Sequence, residues 1–146
     1  LIIRRGYKAM LAEANGAIET IEAVEALRRY PQGNIGRDDV VLVDLRDRRE
    51  LEREGRIPGA FHCPRGMLEF WIDPESPYAK PVFQRDALFL FYCASAWRSA
   101  LAAKVAQEMG LVPVAHMGGG FKAWREGGGP IEKVEPHAPR DGGQHA

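Results

Sequence analysis

The clearest feature of the hydrophobic pattern is a continuous apolar run, Leu88 to Tyr92, that leads directly into Cys93. A run of this length between turn and helix signals is typical of a strand buried on both faces of a parallel sheet. Apolar residues then recur at helical spacing from Ser99 to Met109, and Gly110 ends that pattern. The pattern therefore predicts that Cys93 lies where a buried strand ends and a helix begins.

Four other segments have strand character, at residues 17–21, 40–43, 60–63 and 114–117. The run 40–43 is β-branched and uninterrupted, as a second buried strand would be. Helical patterns lie between the strands, and we expect Thr20 to be the N-cap of the helix that ends near Tyr30. Strands alternating with helices predict an α/β fold, a small and mainly parallel β-sheet flanked by helices on both faces.

The chain divides into one domain and two flanking segments. Residues 1–16 form a short helical extension that Asn15 and Gly16 are expected to stop, and the domain itself covers residues 17–131. Residues 132–146 have almost no apolar content and are expected to be a disordered tail. A chain of 146 residues is long enough for one hydrophobic core and short for two.

Composition narrows the function classes. The 20 Lys and Arg residues balance the 20 Asp and Glu residues, so no net field favours nucleic acid or a membrane surface as a partner. Two cysteines do not make a disulfide framework, and a reactive thiol needs a reducing compartment. No apolar run approaches the ~20 residues of a transmembrane helix. We therefore expect a cytoplasmic protein.

Cys93 and Arg98 are the candidate chemistry. A thiolate is nucleophilic, and the N–H groups at a helix N-terminus together with a nearby arginine favour that anionic form. The planar fork of Arg98 matches two oxygens of a sulfonate, sulfate or phosphate. The alternative is an inert buried cysteine, because free cysteine is often found in protein cores. The strand end, the arginine and the following helix together favour the reactive interpretation.

His62 and Cys63 are a second pair that could suggest a metal site. Adjacent residues of a strand point to opposite faces of the sheet, so these two side chains cannot hold one ion together. We expect Cys63 to be a small core residue and predict neither a metal nor a cofactor for this protein.

Four segments in order resemble one family. They are Val43-Asp44-Leu45-Arg46, Gly55 to Ala60, Cys93 to Ser99, and Gly118 to Trp124. The segment that begins with Cys93 is similar to the active-site loop of rhodanese-like domains, which are single-cysteine sulfurtransferases. Each motif alone is weak, but four in order across roughly residues 17–131 are strong.

The resemblance implies a mechanism and a set of roles. Cys93 would cycle through a persulfide, taking sulfur from thiosulfate or a similar donor and passing it to a nucleophilic acceptor, which is a small molecule or a protein. The loop that would cradle the substrate consists of Ala94, Ser95, Ala96, Trp97, Arg98 and Ser99. Asp44 and Arg46 would brace that loop. Ala96 stands where active loops of the family often have glycine, so a family-like loop would give this alanine a positive φ.

Two alternatives remain open beside the enzyme. One is a sulfur carrier or scaffold that keeps the fold without turnover. The other is a phosphatase or arsenate reductase of related fold, whose loop has five residues between the cysteine and the arginine. Only four residues separate Cys93 from Arg98, and a shorter loop suits one sulfur atom better than a tetrahedral phosphate.

Overall fold

The computed structural model describes residues 1–137 and shows one five-stranded sheet whose strands are all parallel. The strands are β1 (Glu19–Glu22), β2 (Val40–Asp44), β3 (Phe61–His62), β4 (Leu88–Tyr92) and β5 (Val114–Gly118). The helices are α1 (Tyr7–Ala17), α2 (Ala23–Arg29), α3 (Arg48–Glu54), α4 (Leu68–Ile72), α5 (Trp97–Met109) and α6 (Gly120–Glu126). The predicted α/β fold with a parallel sheet is confirmed.

Strand order positions the candidate site. The order across the sheet is β1-β5-β4-β2-β3, so the two most apolar strands, β4 and β2, lie at its centre and pair from Val40↔Leu88 to Asp44↔Tyr92. Because all strands run the same way, the carboxyl ends of β2, β4 and β5 meet at one edge. Ligands of open parallel sheets bind at this edge, and Cys93 follows β4 directly.

Two hydrophobic layers cover the two faces of the sheet. On one face, α5 lays its small residues Ala102, Ala103 and Ala106 against Val43 and Phe91. The opposite face is covered by α2 and α6, whose buried side chains include Ala26, Phe121 and Trp124, and by Tyr30, which directly follows α2. Phe121 and Trp124 both face the core, as their spacing predicts. The helices cover the two faces of the sheet, and the loop that begins at Cys93 lies at its carboxyl edge.

Local signals failed at two places near β1. Helix α1 continues past Asn15 and Gly16 to Ala17. Thr20 is not the N-cap of α2, because it lies within β1 and Glu22 takes the cap position. Pairing of β1 with β5 extends this segment as a strand and overrides the cap preference of threonine. The Thr20 hydroxyl instead lies 3.0 Å from His116 Nε2.

The C-terminal segment is ordered past residue 131. Glu132 pairs with Arg56 in an antiparallel bridge, and Val134 is buried. The part of the predicted tail from 138 to 146 lies outside the described residues.

A search of residues 1–137 for a helix both long and apolar enough to span a bilayer found none.

Candidate active site

Cys93 lies in a cradle of backbone N–H groups. The N–H of Ala96 donates to Cys93 Sγ at 3.3 Å, and the N–H of Ser99 donates to the same atom at 3.4 Å. The Ser99 hydroxyl oxygen lies 3.6 Å from the sulfur. Cys93 itself is only 1% exposed. Two converging N–H dipoles at the start of α5 stabilise a negative charge on this sulfur.

Ala96 turns the loop so that its N–H points inward. It has φ 91° and ψ 0°, the left-handed conformation, and is the one non-glycine residue with positive φ within the described chain. This conformation is the one expected for Ala96 from the family pattern. Because alanine carries a Cβ, holding it here costs roughly 1–2 kcal/mol. The strain is confined to the residue that aims a donor at Cys93.

Replacing Ala96 by glycine is expected to raise the free energy of unfolding by about 0.5–1 kcal/mol, because relief of the left-handed strain outweighs the extra chain entropy of glycine. Denaturant unfolding followed by tryptophan fluorescence measures this change. The matched control is Ala12→Gly on the exposed surface of α1, where ordinary helical φ makes the same substitution lower stability by about 1 kcal/mol. A loss of stability for Ala96→Gly as large as that of the control would contradict the expectation.

Arg98 forms an ion pair with Glu50 of α3. Arg98 Nη1 lies 2.8 Å from Glu50 Oε2, and Nη2 lies 2.9 Å from Oε1. Glu50 also accepts from the backbone N–H of Asp47 at the start of α3. Hydrogen bonding to Arg98 lowers the pKa of Glu50 to about 2 and raises that of Arg98 above its usual value. The pair ties the first turn of α5 to the first turn of α3.

The substrate-binding role of Arg98 stays a prediction. Its side chain is 40% exposed, so the guanidinium faces both Glu50 and solvent. Sequence reasoning missed Glu50 among the densely charged residues 47–56. Its one signal was the spacing of Asp47 and Glu50, which is that of a capping box.

Asp44 and Arg46 form a fully buried ion pair at the carboxyl end of β2. Arg46 Nε and Nη2 donate to the two Asp44 oxygens at 3.0 and 2.8 Å, and Nη2 also donates to the Gly55 carbonyl at 2.7 Å. The guanidinium carbon lies 4.2 Å from the centre of the Phe121 ring. One link from this pair to residues 93–99 runs through α6, because the Phe121 N–H donates to the Cys93 carbonyl. The bracing role predicted for this pair stays a prediction, and the path it would use is now visible.

Helix α6 holds the opposite side of the loop. The N–H of Phe121 donates to the Cys93 carbonyl at 2.8 Å, and the N–H of Lys122 donates to the Ala94 carbonyl at 3.1 Å. Gly120 permits this approach, because a Cβ at that position would lie 2.6 Å from the Ala94 oxygen and 2.7 Å from the Cys93 oxygen. The loop backbone is thus fixed on one side by α6 and on the other by α5.

Two loop residues face outward. Ser95 is exposed, and Trp97 is 58% exposed with its ring 5.1 Å from the Tyr7 ring of α1. Both side chains lie at the outer rim of the loop, and their substrate-binding roles stay predictions. Ala94 and Ser99 lie deeper, and Ser99 is fully buried.

His116 is the polar residue of the site that sequence reasoning passed over. It lies in β5, is 2% exposed, and its Nδ1 is 3.0 Å from Ser99 Oγ. Burial lowers the pKa of His116 to about 4. The available signal was a histidine inside a predicted strand whose neighbours are otherwise apolar. Buried polar side chains need hydrogen-bond partners, and here the partner is a residue that also contacts Cys93.

Cys63 is a core residue, as predicted. It directly follows β3 and is fully buried in the core, and burial raises its pKa to about 12. His62 Nε2 lies 2.6 Å from the Arg46 carbonyl, so the ring is committed to the backbone of the neighbouring loop. Within residues 1–137, no three histidine, cysteine or acidic side chains come together as a metal site would require.

Comparisons with known proteins identify the family of this chain. Over 91 residues the chain is 26% identical to mouse "thiosulfate sulfurtransferase/rhodanese-like domain-containing protein 3", covering 59% of this chain and 58% of that protein. A solved protein of unknown function from Rhodopseudomonas palustris, described as a possible tyrosine phosphatase, is 63% identical with a TM-score of 0.86 over 90% of this chain and 98% of that one.

The polysulfide-sulfur transferase homodimer of Wolinella succinogenes, also solved, is 27% identical with a TM-score of 0.63, over 95% of this chain and 91% of that one. The family model for the rhodanese-like domain matches residues 30–127, which include Asp44, the Cys93 loop and the start of α6. This chain belongs to the rhodanese-like domain family.

Proposed function

We propose that this protein is a sulfurtransferase that moves sulfane sulfur through a persulfide on Cys93. The observation that carries the proposal is the pair of N–H groups, from Ala96 and Ser99, that converge on Cys93 Sγ at the carboxyl edge of the sheet. Such a cradle stabilises both a thiolate and the anionic outer sulfur of a persulfide. Membership in the rhodanese-like family and likeness to named sulfurtransferases support it.

Thiosulfate, or a donor of the same kind, is the proposed source of sulfur. The Cys93 thiolate attacks the outer sulfur of thiosulfate, the S–S bond of the donor breaks, and sulfite leaves with the electron pair. A nucleophilic acceptor, either a small molecule or a protein thiol, then attacks the outer sulfur of the persulfide and releases the Cys93 thiolate. The two half-reactions give ping-pong kinetics.

Intact-protein mass spectrometry after thiosulfate treatment is expected to show one added sulfur atom. Cyanide, a small nucleophile, should remove that sulfur as thiocyanate and regenerate the thiol. Cys93→Ser should gain no sulfur, because its oxygen forms no persulfide. The matched control is Cys63→Ala, which leaves the cradle intact and should load and discharge as the wild type does.

Three results would contradict persulfide-based turnover by Cys93. Absence of added sulfur on the wild type, or its appearance on Cys63, would refute the persulfide mechanism. Sulfur that loads on Cys93 but resists cyanide would identify a carrier in place of a turnover enzyme. Sulfur loading and its discharge are read from the protein mass before and after cyanide, so one experiment separates the enzyme from the carrier.

The phosphatase alternative has one specific observation in its favour, the description of the Rhodopseudomonas relative. Against it stand the loop length and the position of Arg98, whose terminal nitrogens face Glu50. A cysteine phosphatase needs its arginine to hold the phosphate oxygens. Hydrolysis of p-nitrophenyl phosphate without any sulfur loading would establish that alternative, and we expect no such hydrolysis.

A further inference from the structure

A continuous chain of polar side chains leads from the Cys93 sulfur toward the surface. Cys93 Sγ lies 3.6 Å from Ser99 Oγ, which in turn lies 3.0 Å from His116 Nδ1. On the far side of the ring, His116 Nε2 lies 3.1 Å from Asn15 Oδ1 and 3.0 Å from Thr20 Oγ1. The first three residues are buried, whereas Asn15 and Thr20 are exposed. The chain thus links the buried thiol with the polar surface of α1 and β1.

The direction of each hydrogen bond follows from its ends. The side-chain amide oxygen of Asn15, Oδ1, can only accept a hydrogen bond, so His116 Nε2 carries a hydrogen. In a neutral imidazole Nδ1 is then an acceptor, and the Ser99 hydroxyl donates to it. Ser99 Oγ still has a lone pair with which to accept from the Cys93 S–H. A neutral thiol and a neutral imidazole therefore satisfy every group in the chain.

An anionic sulfur reverses the pattern. A thiolate only accepts, so the Ser99 hydroxyl satisfies it by turning toward Cys93. His116 Nδ1 would then lack a donor unless it carries its own hydrogen and donates to Ser99 Oγ. Thiolate and imidazolium together again satisfy every group. A thiolate beside a neutral imidazole requires the hydrogen on Nδ1, so that Nε2 can accept from the Thr20 hydroxyl but presents a lone pair to Asn15 Oδ1 at 3.1 Å, which is unfavourable.

We propose that Ser99 and His116 form a proton relay that accepts the Cys93 thiol proton and retains it while the sulfur is anionic. The S–H bond of Cys93 breaks and its proton moves to Ser99 Oγ. At the same time the original O–H bond of Ser99 breaks, and that proton is transferred to His116 Nδ1. The neutral thiol–imidazole pair becomes a thiolate–imidazolium pair with no proton gained or lost overall. The relay rests on the proposed function only in making Cys93 the nucleophile, and His116 acts as a positioning residue through Ser99.

Among the groups around His116, the Cys93 thiolate is the one that can stabilise a cationic imidazolium ring. Burial lowers the pKa of His116 to about 4, and the side chains facing its ring, from Asn15, Thr20 and Ser99, are uncharged. The charged groups on the adjoining elements are Lys8 and Glu13 of α1, Glu19 and Glu22 of β1, and Arg98, Lys104 and Glu108 of α5, and the described hydrogen bonds of the ring go to none of them. A cationic ring here therefore depends on a negative charge on Cys93.

The pH dependence of Cys93 alkylation by iodoacetamide tests the relay. Without the His116 imidazolium, and with Arg98 unchanged, the midpoint of that profile should move upward by about one pH unit or more, for both His116→Gln and Ser99→Ala. The rate near neutral pH should fall about tenfold. Ser99→Thr keeps a hydroxyl and should keep the wild-type profile. His137→Gln, at an exposed histidine, is the matched control and should also keep it.

Peptide mass spectrometry assigns the alkylated cysteine. Because burial raises the pKa of Cys63 to about 12, that thiol stays protonated across the profile and does not contribute. If His116→Gln and Ser99→Ala follow the wild-type profile, the relay is refuted. A lower melting temperature in these variants with an unmoved profile would likewise refute it and leave a purely structural role.

Nitrogen NMR of the imidazole gives an independent readout. In the wild type the His116 ring should remain protonated to a pH at least about one unit higher than in Cys93→Ala, because that variant removes the anionic partner. Identical titration of the ring in the two proteins would overturn the proposal. Neither measurement requires thiosulfate, so its result is separate from sulfur loading. If the alkylation profile does not move and sulfur loads normally, only the relay is refuted. If the profile moves and no sulfur loads, only the proposed sulfur transfer is refuted.

Discussion

Replacing Arg46 by methionine is expected to lower the free energy of unfolding by about 3–5 kcal/mol, because it leaves the Asp44 carboxylate buried without its partner. Both side chains of this pair are fully buried. Methionine retains the unbranched apolar stem but supplies none of the donors to Asp44 or to the Gly55 carbonyl. Denaturant unfolding, followed by fluorescence of the 3 tryptophans, measures the loss.

Two comparisons separate burial from charge. Arg28→Ala removes an ion pair with Glu25 whose arginine is 72% exposed, and it should lower stability far less than Arg46→Met does. The double variant Asp44→Asn with Arg46→Met removes both charges, so it should be more stable than the sum of the single losses predicts. Equal losses for Arg46→Met and Arg28→Ala would contradict the structural importance of the buried pair.

Replacing Gly120 by alanine is expected to disrupt the Cys93 loop itself. Gly120 has φ +60°, and the added Cβ would lie 2.6 Å from the Ala94 carbonyl oxygen, so the loop and α6 must separate. The hydrogen bond from the Phe121 N–H to the Cys93 carbonyl would then lengthen. Misplacement of a reacting group by about 1 Å costs roughly a hundredfold in rate. We expect such a loss in the initial rate of sulfur loading from thiosulfate, measured by mass spectrometry.

Gly128→Ala is the matched control for this substitution. Gly128 also has positive φ, +82°, but a Cβ there would meet nothing within 4 Å. Both variants share the backbone strain of roughly 1–2 kcal/mol, and only Gly120→Ala adds the collision with the loop. The control should therefore load sulfur at the wild-type rate. Similar loading rates for the two variants would show that α6 does not fix the position of the loop.

Phe121 contacts both the buried Asp44–Arg46 ion pair and the Cys93 loop. Its backbone N–H holds the Cys93 carbonyl, and its ring lies against the Arg46 guanidinium. Arg46 makes no described hydrogen bond to the loop, so if this pair braces the loop, we expect a change at Arg46 to reach it by way of α6. The expected losses of stability and of loading should accordingly appear together in Arg46→Met.

Local pattern was sufficient for the elements that carry the nucleophile. The runs at 40–43 and 88–92 are too apolar for any position but the centre of a covered sheet, and the structure has them paired there as β2 and β4. The helix after Cys93 was visible from its spacing, and the positive φ of Ala96 followed from the family pattern. The strands and the helix depend on residues close together in the chain, which is why one sequence determined them, whereas the φ of Ala96 was implied only by the family resemblance.

Tertiary structure decided which polar side chains meet at the sulfur. Glu50 reaches Arg98 across 48 residues, and Asn15 reaches His116 across 101. Both contacts depend on the strand order β1-β5-β4-β2-β3, which places elements distant in sequence at one edge of the sheet. Periodicity records only whether a face is buried. It carries no information on which elements pack together, so the contact between the buried histidine of β5 and Ser99 of α5 follows only from the tertiary structure.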